Sequence, residues 1–395
     1  MARRIAMFMY GLSGGGVSRR MVTLANAFAA QGDAVDVLVL DAENPSGLSF
    51  APSVRLVRLG NWRTALPFVR AKRRRMFGMA RAVLVRYLAT ERPTVLISAD
   101  NFANLTALDA RRRSGTSVPV IVTQRKHVST QVAASPNRAH RQLIRRIGGT
   151  YPEAEAVVGV ARALVDDLIA LGVPPGITHT IHNPVIPADF DAIAAQPVQH
   201  PWFQPGQCPV VLGVGRISGE KDFPTLVRAF ARARASRPEL RLVILGAAAK
   251  AEAREQLIAL AGELGIGEAV DLPGAVPQAI PYMARAAVFA LSSRWEGMPG
   301  VLIEAMACGT PVVSTDCPSG PDEILEGGRM GRLVPVADEA ALARAILETL
   351  ATPPNRDALM ARGRAFSTER AVAEYTSLID SLSAAAIWPG QPSCG

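Results

Sequence analysis

Two glutamates in the second half of the chain stand on either side of an expected helix start. Glu296 and Glu304 are separated by seven residues, and Pro299 between them marks that start. Gly309 can end the helix in a left-handed conformation. Unpaired amides at the positive end of a helix dipole bind phosphate, so this segment predicts an anion site. The amides expected to face the anion are those of Gly300, Val301 and Leu302.

A glycine-rich turn upstream predicts a further contact for an anion. The apolar run 209–212 predicts a strand, and residues 213–219 form a turn that leads into a helix. Open α/β sheets bind ligands at the carboxyl ends of their strands, where this turn places Arg216 and Lys221. Arg offers a planar fork for phosphate oxygens and Lys a mobile point charge. The alternative is a surface pair of cations with no ligand.

Two other enzyme classes share parts of this pattern, and both are disfavoured. The glycine spacing in 213–219 is off by one for a dinucleotide turn, and no acid for a ribose follows the strand predicted at 241–245. On a single helix, Glu296 and Glu304 would be about 12 Å apart along the axis. This separation exceeds the roughly 5 to 9.5 Å between the paired carboxylates of glycoside hydrolases.

The chain resembles a known family, the retaining sugar-nucleotide glycosyltransferases of the GT-B fold, fourth family, also described as glycosyl transferases group 1. This family includes bacterial enzymes that build envelope polysaccharides and lipid-linked saccharides. The resemblance covers most of 209–345, and the N-terminal half matches more loosely. The motifs that carry it are Gly215, Arg216 and Lys221; Glu296 through Glu304; Cys308 through Thr315; Gly320 through Ile324; Gly14 through Gly16; and His182-Asn183-Pro184.

The resemblance implies a role for each of the C-terminal side chains. Arg216, Lys221 and the amides of 300–302 would bind the diphosphate, whose departure builds negative charge on oxygen. Glu304 would accept hydrogen bonds from the ribose hydroxyls, and Glu296 would contact the transferred hexose. A carboxylate accepts two such bonds at once, which suits a vicinal diol. As isolated acids, Glu304 would be a helix charge and Glu296 a loop residue.

The N-terminal half is expected to hold the acceptor. By the same resemblance, His127 follows a strand end and contacts a hydroxyl of the transferred sugar, and Gly15 and Gly16 let the backbone approach the donor. A structural hydrogen bond is the ordinary alternative for His127, and a tight strand-to-helix turn is the alternative for the glycines. Arg125 and Lys126 are neighbouring cations that could meet an acceptor phosphate.

The excess positive charge belongs to the N-terminal half. Residues 1–200 hold 25 Lys or Arg against 13 acids, whereas the remainder holds 18 against 21. Residues 62–90 contain eight basic side chains and no acid, with apolar residues at helical spacing. Such a basic amphipathic helix can lie on an anionic membrane surface, or it can dock on its own sheet with a solvated charged face. The apolar residues are Met76, Ala80, Val83, Leu84, Tyr87 and Leu88.

Composition limits the other classes of function and the location. Aromatic residues make up only 5% of the chain and no nucleic-acid module surrounds the basic segments, so no nucleic-acid partner is expected. No apolar stretch reaches the roughly 20 residues that span a bilayer. Four cysteines without metal spacing fit a cytoplasmic setting, peripheral at the inner face of the cell membrane if the basic helix binds it. Three of them, Cys208, Cys308 and Cys317, are expected in the core.

Alternating strands and helices predict an α/β fold. In GT-B terms this means two Rossmann-like doubly wound domains that face a central cleft, with a C-terminal helix that crosses back to the first domain. The predicted segments are an acceptor-binding domain at 1–190, a Pro-rich linker at 191–208, a nucleotide-sugar-binding domain at 209–367, a crossover helix at 368–385 and a loose tail at 386–395. The predicted strands are 4–9, 35–40, 95–98, 118–122, 156–160, 210–214, 241–245, 288–292 and 312–315.

The sequence therefore predicts a retaining glycosyltransferase that moves a hexose-type sugar from a nucleotide donor, expected to be a UDP-sugar, to a hydroxyl of a glycan or polyprenyl-linked saccharide. A GT-B nucleotide-sugar epimerase and a non-catalytic sugar-nucleotide-binding subunit are the alternatives. No cofactor and no metal are expected. Asp189 and Asp191 form an Asp-x-Asp pair, but they lie beside the Pro-rich segment and are interpreted as solvated loop.

Overall fold

The computed structural model describes residues 3–12, 15–41, 47–60, 73–133 and 138–387. The chain forms two compact units, one built from Met1–Pro184 together with Thr368–Gly395 and the other from Val185–Ser367. Within the described ranges, no helix combines the length and the apolar character that crossing a bilayer requires.

The first unit contains a parallel sheet of seven strands in the described residues, in the order β3-β2-β1-β4-β5-β6-β7. Its central strands are buried on both faces, as continuous apolar runs in parallel sheets require. The strands are β1 (Arg4–Gly11), β2 (Ala34–Asp41), β3 (Val54–Arg58), β4 (Val95–Ala99), β5 (Val120–Gln124), β6 (Ala156–Gly159) and β7 (Thr178–Thr180).

Helices cover both faces of this sheet. The last helix of the described chain packs on the first unit: Tyr375 meets Phe28 edge to face at 6.4 Å between ring centroids, and Val372 and Ile379 join the same core. The predicted crossover helix is thus confirmed. The helices of this unit are α1 (Gly16–Ala30), α2 (Arg73–Glu91), α3 (Asn101–Ser114), α4 (Val128–Ala133), α5 (Arg138–Thr150), α6 (Arg162–Ala170) and, after the second unit, α15 (Thr368–Ile387).

The second unit contains a parallel sheet of six strands in the order β10-β9-β8-β11-β12-β13. Leu212, Ile244 and Phe230 are among the residues that fill its core. The strands are β8 (Val210–Val214), β9 (Arg241–Leu245), β10 (Val270–Gly274), β11 (Val288–Leu291), β12 (Val312–Thr315) and β13 (Arg332–Val334). The helices are α7 (Phe190–Ala194), α8 (Phe223–Ser236), α9 (Ala251–Glu263), α10 (Ile280–Met283), α11 (Gly300–Ala307), α12 (Pro321–Leu325), α13 (Glu339–Ala351) and α14 (Arg356–Arg364).

The segment predicted as a linker belongs to the second unit instead. The division of the chain falls between Pro184 and Val185. Phe203 is buried and packs edge to face on Tyr282, with ring centroids 5.2 Å apart. The His200 ring lies 3.0 Å from the Asp271 carboxylate. The prolines of 191–208 therefore shape short turns that pack on the second unit, so their composition alone was misleading.

The basic segment 62–90 lies only partly within the described residues. Helix α2 packs on the first sheet through Ala80, Leu84, Tyr87 and Leu88, which favours the docked interpretation for this stretch. Val83, which the spacing placed on the apolar face, is 38% exposed. Residues 62–72 and the side chains of 73–77 lie outside the described part of the chain.

Two of the three cysteines expected in the core are there. Cys308 and Cys317 are buried, whereas Cys208 is only half-buried. Burial raises the pKa of the Cys317 thiol to about 12, so this thiol is protonated at neutral pH. Cys317 therefore behaves as a small apolar residue.

Candidate active site

Two loops of the second unit are joined at one edge of its sheet. Strands β8 and β11 are neighbours and run parallel, so the loops that follow them leave from the same edge. The Ser292 hydroxyl donates to the Lys221 carbonyl at 2.8 Å. The Arg294 amide donates to the Glu220 carbonyl, also at 2.8 Å. The β8–α8 loop and the β11–α11 loop thus form one surface.

An ion pair joins the two residues that were assigned to phosphate and sugar. The Lys221 ammonium lies 2.5 Å from Glu296 Oε1, and the two side chains are 15% and 13% exposed. The Ser293 hydroxyl donates to the same carboxylate oxygen at 2.6 Å. Both charged groups are therefore held in place at this edge of the sheet before any ligand binds.

A second ion pair supports this surface and was not predicted. Asp222 is buried, and its Oδ2 accepts from Arg294 Nε at 3.0 Å and from the Thr225 hydroxyl at 2.9 Å. Asp222 has a left-handed backbone with φ 46°, which turns the chain sharply at the start of α8. This turn directs Lys221 and Asp222 to different partners on the same neighbouring loop.

Helix α11 presents free amides beside this ion pair. It begins at Gly300 after Pro299 and is followed by Gly309 with φ 74°, as the sequence predicts. Within the described residues, the amides of Gly300 and Val301 have no hydrogen-bond partner. The prediction for Leu302 was wrong: its amide donates to the Pro299 carbonyl at 3.1 Å, because the first turn of the helix is tight. Glu304, in the second turn, is 8% exposed.

Gly320 fixes the turn that leads into α11. Its φ is 99°, and a Cβ placed there would lie 2.6 Å from Pro299 Cδ and 3.1 Å from the Gly297 carbonyl oxygen. The Ser319 hydroxyl also donates to the Gly297 carbonyl at 2.7 Å. Glycine is thus required at this position both by its conformation and by the close packing of the two loops.

Arg216 lies apart from this cluster. Its side chain is 62% exposed, and its guanidinium is 3.4 Å from the Glu220 carboxylate. Among the described residues, no hydrogen bond joins it to Lys221 or to the first turn of α11. Its position on the same loop nevertheless keeps it at the same sheet edge.

In the first unit, His127 caps a helix. It precedes α4, and its Nδ1 lies 3.2 Å from the Thr130 hydroxyl and 3.4 Å from Asp167 Oδ2. Asp167 is buried and accepts from the Val128 amide at 2.8 Å and from the Ser129 hydroxyl at 2.5 Å. The Nδ1 edge of the ring is therefore used in the local structure. Asp167 was not predicted, since it is distant in sequence from the residues that it caps.

The glycine turn after β1 is only partly described. Gly15 precedes α1 and Gly16 begins it, and a Cβ at either position would meet nothing within 4 Å. A side chain would therefore fit at either position without a clash. Both residues are exposed. Gly14 lies outside the described residues.

Arg125 is a buried cation of the first unit that has few partners among the described residues. It is 9% exposed, its Nη1 donates to Asn183 Oδ1 at 2.6 Å and its Nη2 lies 3.4 Å from the Met21 sulfur. Its Nε is buried and has no partner among the described residues. Burial lowers the pKa of this guanidinium, because the charged form loses solvation.

Among the described residues, no three or more His, Cys, Asp or Glu side chains cluster in a way that could hold a metal ion. Asp191 of the Asp-x-Asp pair lies at the start of α7 and pairs with Arg364 at 2.9 Å. Asp189 lies in an exposed turn and the Asp191 side chain is 75% exposed, so both acids are solvated as interpreted from the sequence, although Asp191 itself is helical.

Two Rossmann-like parallel-sheet units, the first completed by a C-terminal helix, define a protein of the GT-B class. A solved sucrose-phosphate synthase from Thermosynechococcus elongatus has this fold, with a TM-score of 0.79 and 24% identity over 97% of this chain and 100% of that one. The Anabaena protein HepE, solved in complex with UDP and glucose, matches with a TM-score of 0.73 and 18% identity over 97% of this chain and 100% of its own. The predicted fold class is confirmed.

Two family models then cover nearly the whole described chain. The model described as "Glycosyltransferase Family 4" matches residues 14–189, and the model described as "Glycosyl transferases group 1" matches residues 199–366. The chain belongs to the family 4, group 1 glycosyltransferases. A Campylobacter jejuni relative is named N-acetylgalactosamine-N,N'-diacetylbacillosaminyl-diphospho-undecaprenol 4-alpha-N-acetylgalactosaminyltransferase. It is 26% identical and aligns with 86% of this chain and 88% of its own length.

Proposed function

We propose that this glycosyltransferase moves a hexose-type sugar from a UDP donor to a hydroxyl of a glycan or lipid-linked saccharide and retains the anomeric configuration. The observation that carries the proposal is the Lys221–Glu296 pair beside the free amides of Gly300 and Val301. It combines a cation, a carboxylate and a helix N-terminus at one sheet edge, the groups that a sugar diphosphate needs.

The second unit binds the donor in this proposal. Lys221 and the amides of Gly300 and Val301 contact the diphosphate, and the exposed Arg216 turns from Glu220 to join them. Glu296 exchanges Lys221 for a hexose hydroxyl, while Ser293 keeps the carboxylate oriented. Glu304 accepts from the ribose hydroxyls. Leu302 lies in the same first turn of α11, but its amide is not free to contact the diphosphate.

The reaction needs no protein nucleophile. The bond between the anomeric carbon and the diphosphate oxygen breaks, and negative charge accumulates on that oxygen beside Lys221 and the α11 amides. Preorganised donors there stabilise the transition state more than the substrate. The acceptor hydroxyl then bonds to the anomeric carbon on the same face, and its proton passes to the leaving phosphate.

The first unit binds the acceptor and contributes to the sugar site. His127 uses Nδ1 in its cap, which leaves Nε2 for a hydroxyl of the transferred sugar. Gly15 and Gly16 offer an open approach to the donor at the start of α1. Similar proteins support these substrates: HepE was solved with UDP, and the Campylobacter relative is named for a diphospho-undecaprenol saccharide.

Assays of UDP release test this function. The protein is incubated with UDP-hexoses and UDP-N-acetylhexosamines, with and without lipid-linked saccharide acceptors, and UDP and product are quantified. We expect acceptor-dependent UDP release and a product whose anomeric proton coupling in NMR matches that of the donor. An inverted product would contradict retention. A new UDP-sugar without UDP release would indicate an epimerase, and no conversion of any donor would leave only a binding protein.

Metal independence is proposed from the chemistry of Lys221 and the α11 amides, which supply the positive charge that a metal provides in other transferases. We expect unchanged turnover after treatment with EDTA. Loss of turnover that is restored by magnesium or manganese would contradict the proposal.

A further inference from the structure

The first unit has a pocket at the point where its strand order reverses. Strand β1 lies between β2 and β4, so the helices that follow β1 and β4 leave the sheet in opposite directions. Ligands of doubly wound sheets bind at this point, beyond the carboxyl ends of the strands. The pocket is lined by Val17 at the start of α1, by 100–102 after β4 and by 124–126 at the end of β5.

The lining of this pocket suits a saccharide. The pocket is open to solvent, and its empty volume is about 540 Å³ with that open solvent included. Asn101 Nδ2 donates to Gln131 Oε1 at 3.2 Å, which orients both amides and leaves further polar atoms of each for a ligand. Carboxamides and the neighbouring Asp100 carboxylate match sugar hydroxyls. Asp100 has φ 89°, a sparsely populated conformation for a non-glycine residue and one that recurs at functional sites.

Arg125 adds a charge that the protein itself does not neutralise. It lines the pocket, and no carboxylate of the described residues forms an ion pair with it. Its partners are an amide oxygen and a thioether sulfur. Burial of an uncompensated charge is costly, so this arginine weakens the empty protein. Residues that break a packing rule without local compensation are expected at functional sites.

We propose that this pocket binds an acceptor saccharide that carries an anionic group, a carboxylate or a phosphate, and that Arg125 pairs with that group. The role of this saccharide as the acceptor rests on the proposed function. The inference adds the chemical class of that acceptor. The hydroxyls of the saccharide bond to the side chains of Asp100, Asn101 and Gln131. The anion replaces the solvation that Arg125 has lost.

Binding of simple anions tests the site without knowledge of the acceptor. Sodium phosphate, glucuronate and neutral glucose are titrated by calorimetry into the wild type, Arg125→Gln and Arg86→Gln, with excess UDP present to occupy phosphate sites of the second unit. Arg86 is an exposed arginine of α2 in the same unit, so its variant matches the charge change. We expect Arg125→Gln to weaken the anion response at least about tenfold, the loss of one charge-assisted hydrogen bond, and Arg86→Gln to leave it unchanged.

The probes also distinguish the two sources of the anion. An Arg125-dependent response to glucuronate alone indicates an acidic sugar, and a response to phosphate alone indicates a phosphate of the acceptor. A response to both supports the shared site. If Arg125→Gln and Arg86→Gln respond alike to both anions, the proposal is overturned.

A stability measurement separates this role from a structural one. We expect Arg125→Met to keep or raise the melting temperature of the empty protein, since it removes a buried charge, and to lose the stabilisation by anions. A lower melting temperature with an unchanged anion response would show that Arg125 only supports the fold. Should Arg125→Gln fail to fold, Arg125→Lys is the second variant. It keeps the positive charge but lacks the planar guanidinium, so its anion response should be weaker than that of the wild type.

Failure here and failure of the proposed function are distinguishable. If the wild type releases UDP from a donor but its anion response ignores Arg125, only the acceptor class is wrong. If no donor is cleaved but the Arg125-dependent response persists, the anion site remains. The proposed donor and transfer reaction are then wrong.

Discussion

Lys221 and Glu296 hold each other in an ion pair that the donor replaces in the proposed function. Their short ion pair is largely shielded from solvent, and Ser293 keeps the carboxylate in place when the ammonium moves. In the proposed function, a phosphate that approaches Lys221 frees Glu296 for a sugar hydroxyl. The two residues act as a unit, so the loss of either should affect binding of both parts of the donor.

Replacement of the ammonium tests this coupling. Lys221→Ala should lower kcat/KM for the donor by about 100-fold or more, the effect of one preorganised electrostatic contact in a transition state. Arg332→Ala is the control. Arg332 lies at the start of β13 and forms an exposed ion pair with Glu348, so this variant also removes a paired cation. Steady-state kinetics of UDP release measure both. Equal, small effects in the two variants would refute a donor contact for Lys221.

The strands that the sequence missed share one position in the fold. The missed strands β3, β7, β10 and β13 are all at the edges of their sheets, and those predicted are the inner ones. An inner parallel strand is buried on both faces and reads as a continuous apolar run, whereas Thr178–Thr180 is only partly buried and has no such run. The apolar pattern thus predicts the part of a sheet that other strands cover.

The same limit applies to the site. The positions of Lys221, Glu296 and Gly300 follow from local signals, a glycine turn and a helix start, each placed at a strand end. Arg125 and Asp222 depend on partners that are distant along the chain, Asn183 and Arg294. Their burial and pairing emerge only from the packing of the whole unit, so the sequence indicated Arg125 only as a cation beside Lys126 and did not indicate Asp222.

The loop contact at Gly320 is an element-scale prediction. Gly320→Ala must displace Pro299 or adopt a strained backbone, so the first turn of α11 should shift. A displacement of about 1 Å at a reacting site can cost about 100-fold in rate, and we expect a loss of 10- to 100-fold in kcat/KM. Gly262→Ala, within α9 where a Cβ meets nothing within 4 Å, is the matched control and should preserve activity. Retention of full activity by Gly320→Ala would contradict the role of this turn.

At the scale of the whole molecule, a buried charge cluster links stability of the first unit to pH. Burial acts to raise the pKa of Asp36, but hydrogen bonds from Arg55 and Tyr87 outweigh it, and the pKa lies below its usual value. A carboxyl with a lowered folded-state pKa contributes its full stability above its unfolded pKa of about 3.9, and this contribution is lost as the pH falls through the folded pKa.

Asp36→Asn tests this link. We expect a loss of about 1 to 3 kcal/mol at pH 7, since charged hydrogen bonds are removed while Arg55 remains half exposed. The difference from the wild type should shrink as the pH falls below about 4. Calorimetric melting at several pH values measures it, with the exposed Asp166→Asn as control. A difference that is independent of pH would contradict the assignment.

Peripheral membrane association is proposed from the charge of 62–90. Each basic residue near an anionic surface contributes about 1 kcal/mol, so Arg73→Glu, Arg74→Glu and Arg75→Glu together should abolish flotation with anionic liposomes. Neutral liposomes are the control and should bind neither protein. Flotation that survives the triple charge reversal would remove the proposal.

The return of α15 to the first unit has a consequence for biosynthesis. While the ribosome is still adding residues 185–367, the nascent first unit lacks the helix that supplies Val372, Tyr375 and Ile379, and the apolar surface around Phe28 stays open to water. The second unit is continuous in sequence and can complete its fold first. A chaperone that shields apolar surface is thus needed on the first unit until residues 368–387 have been made.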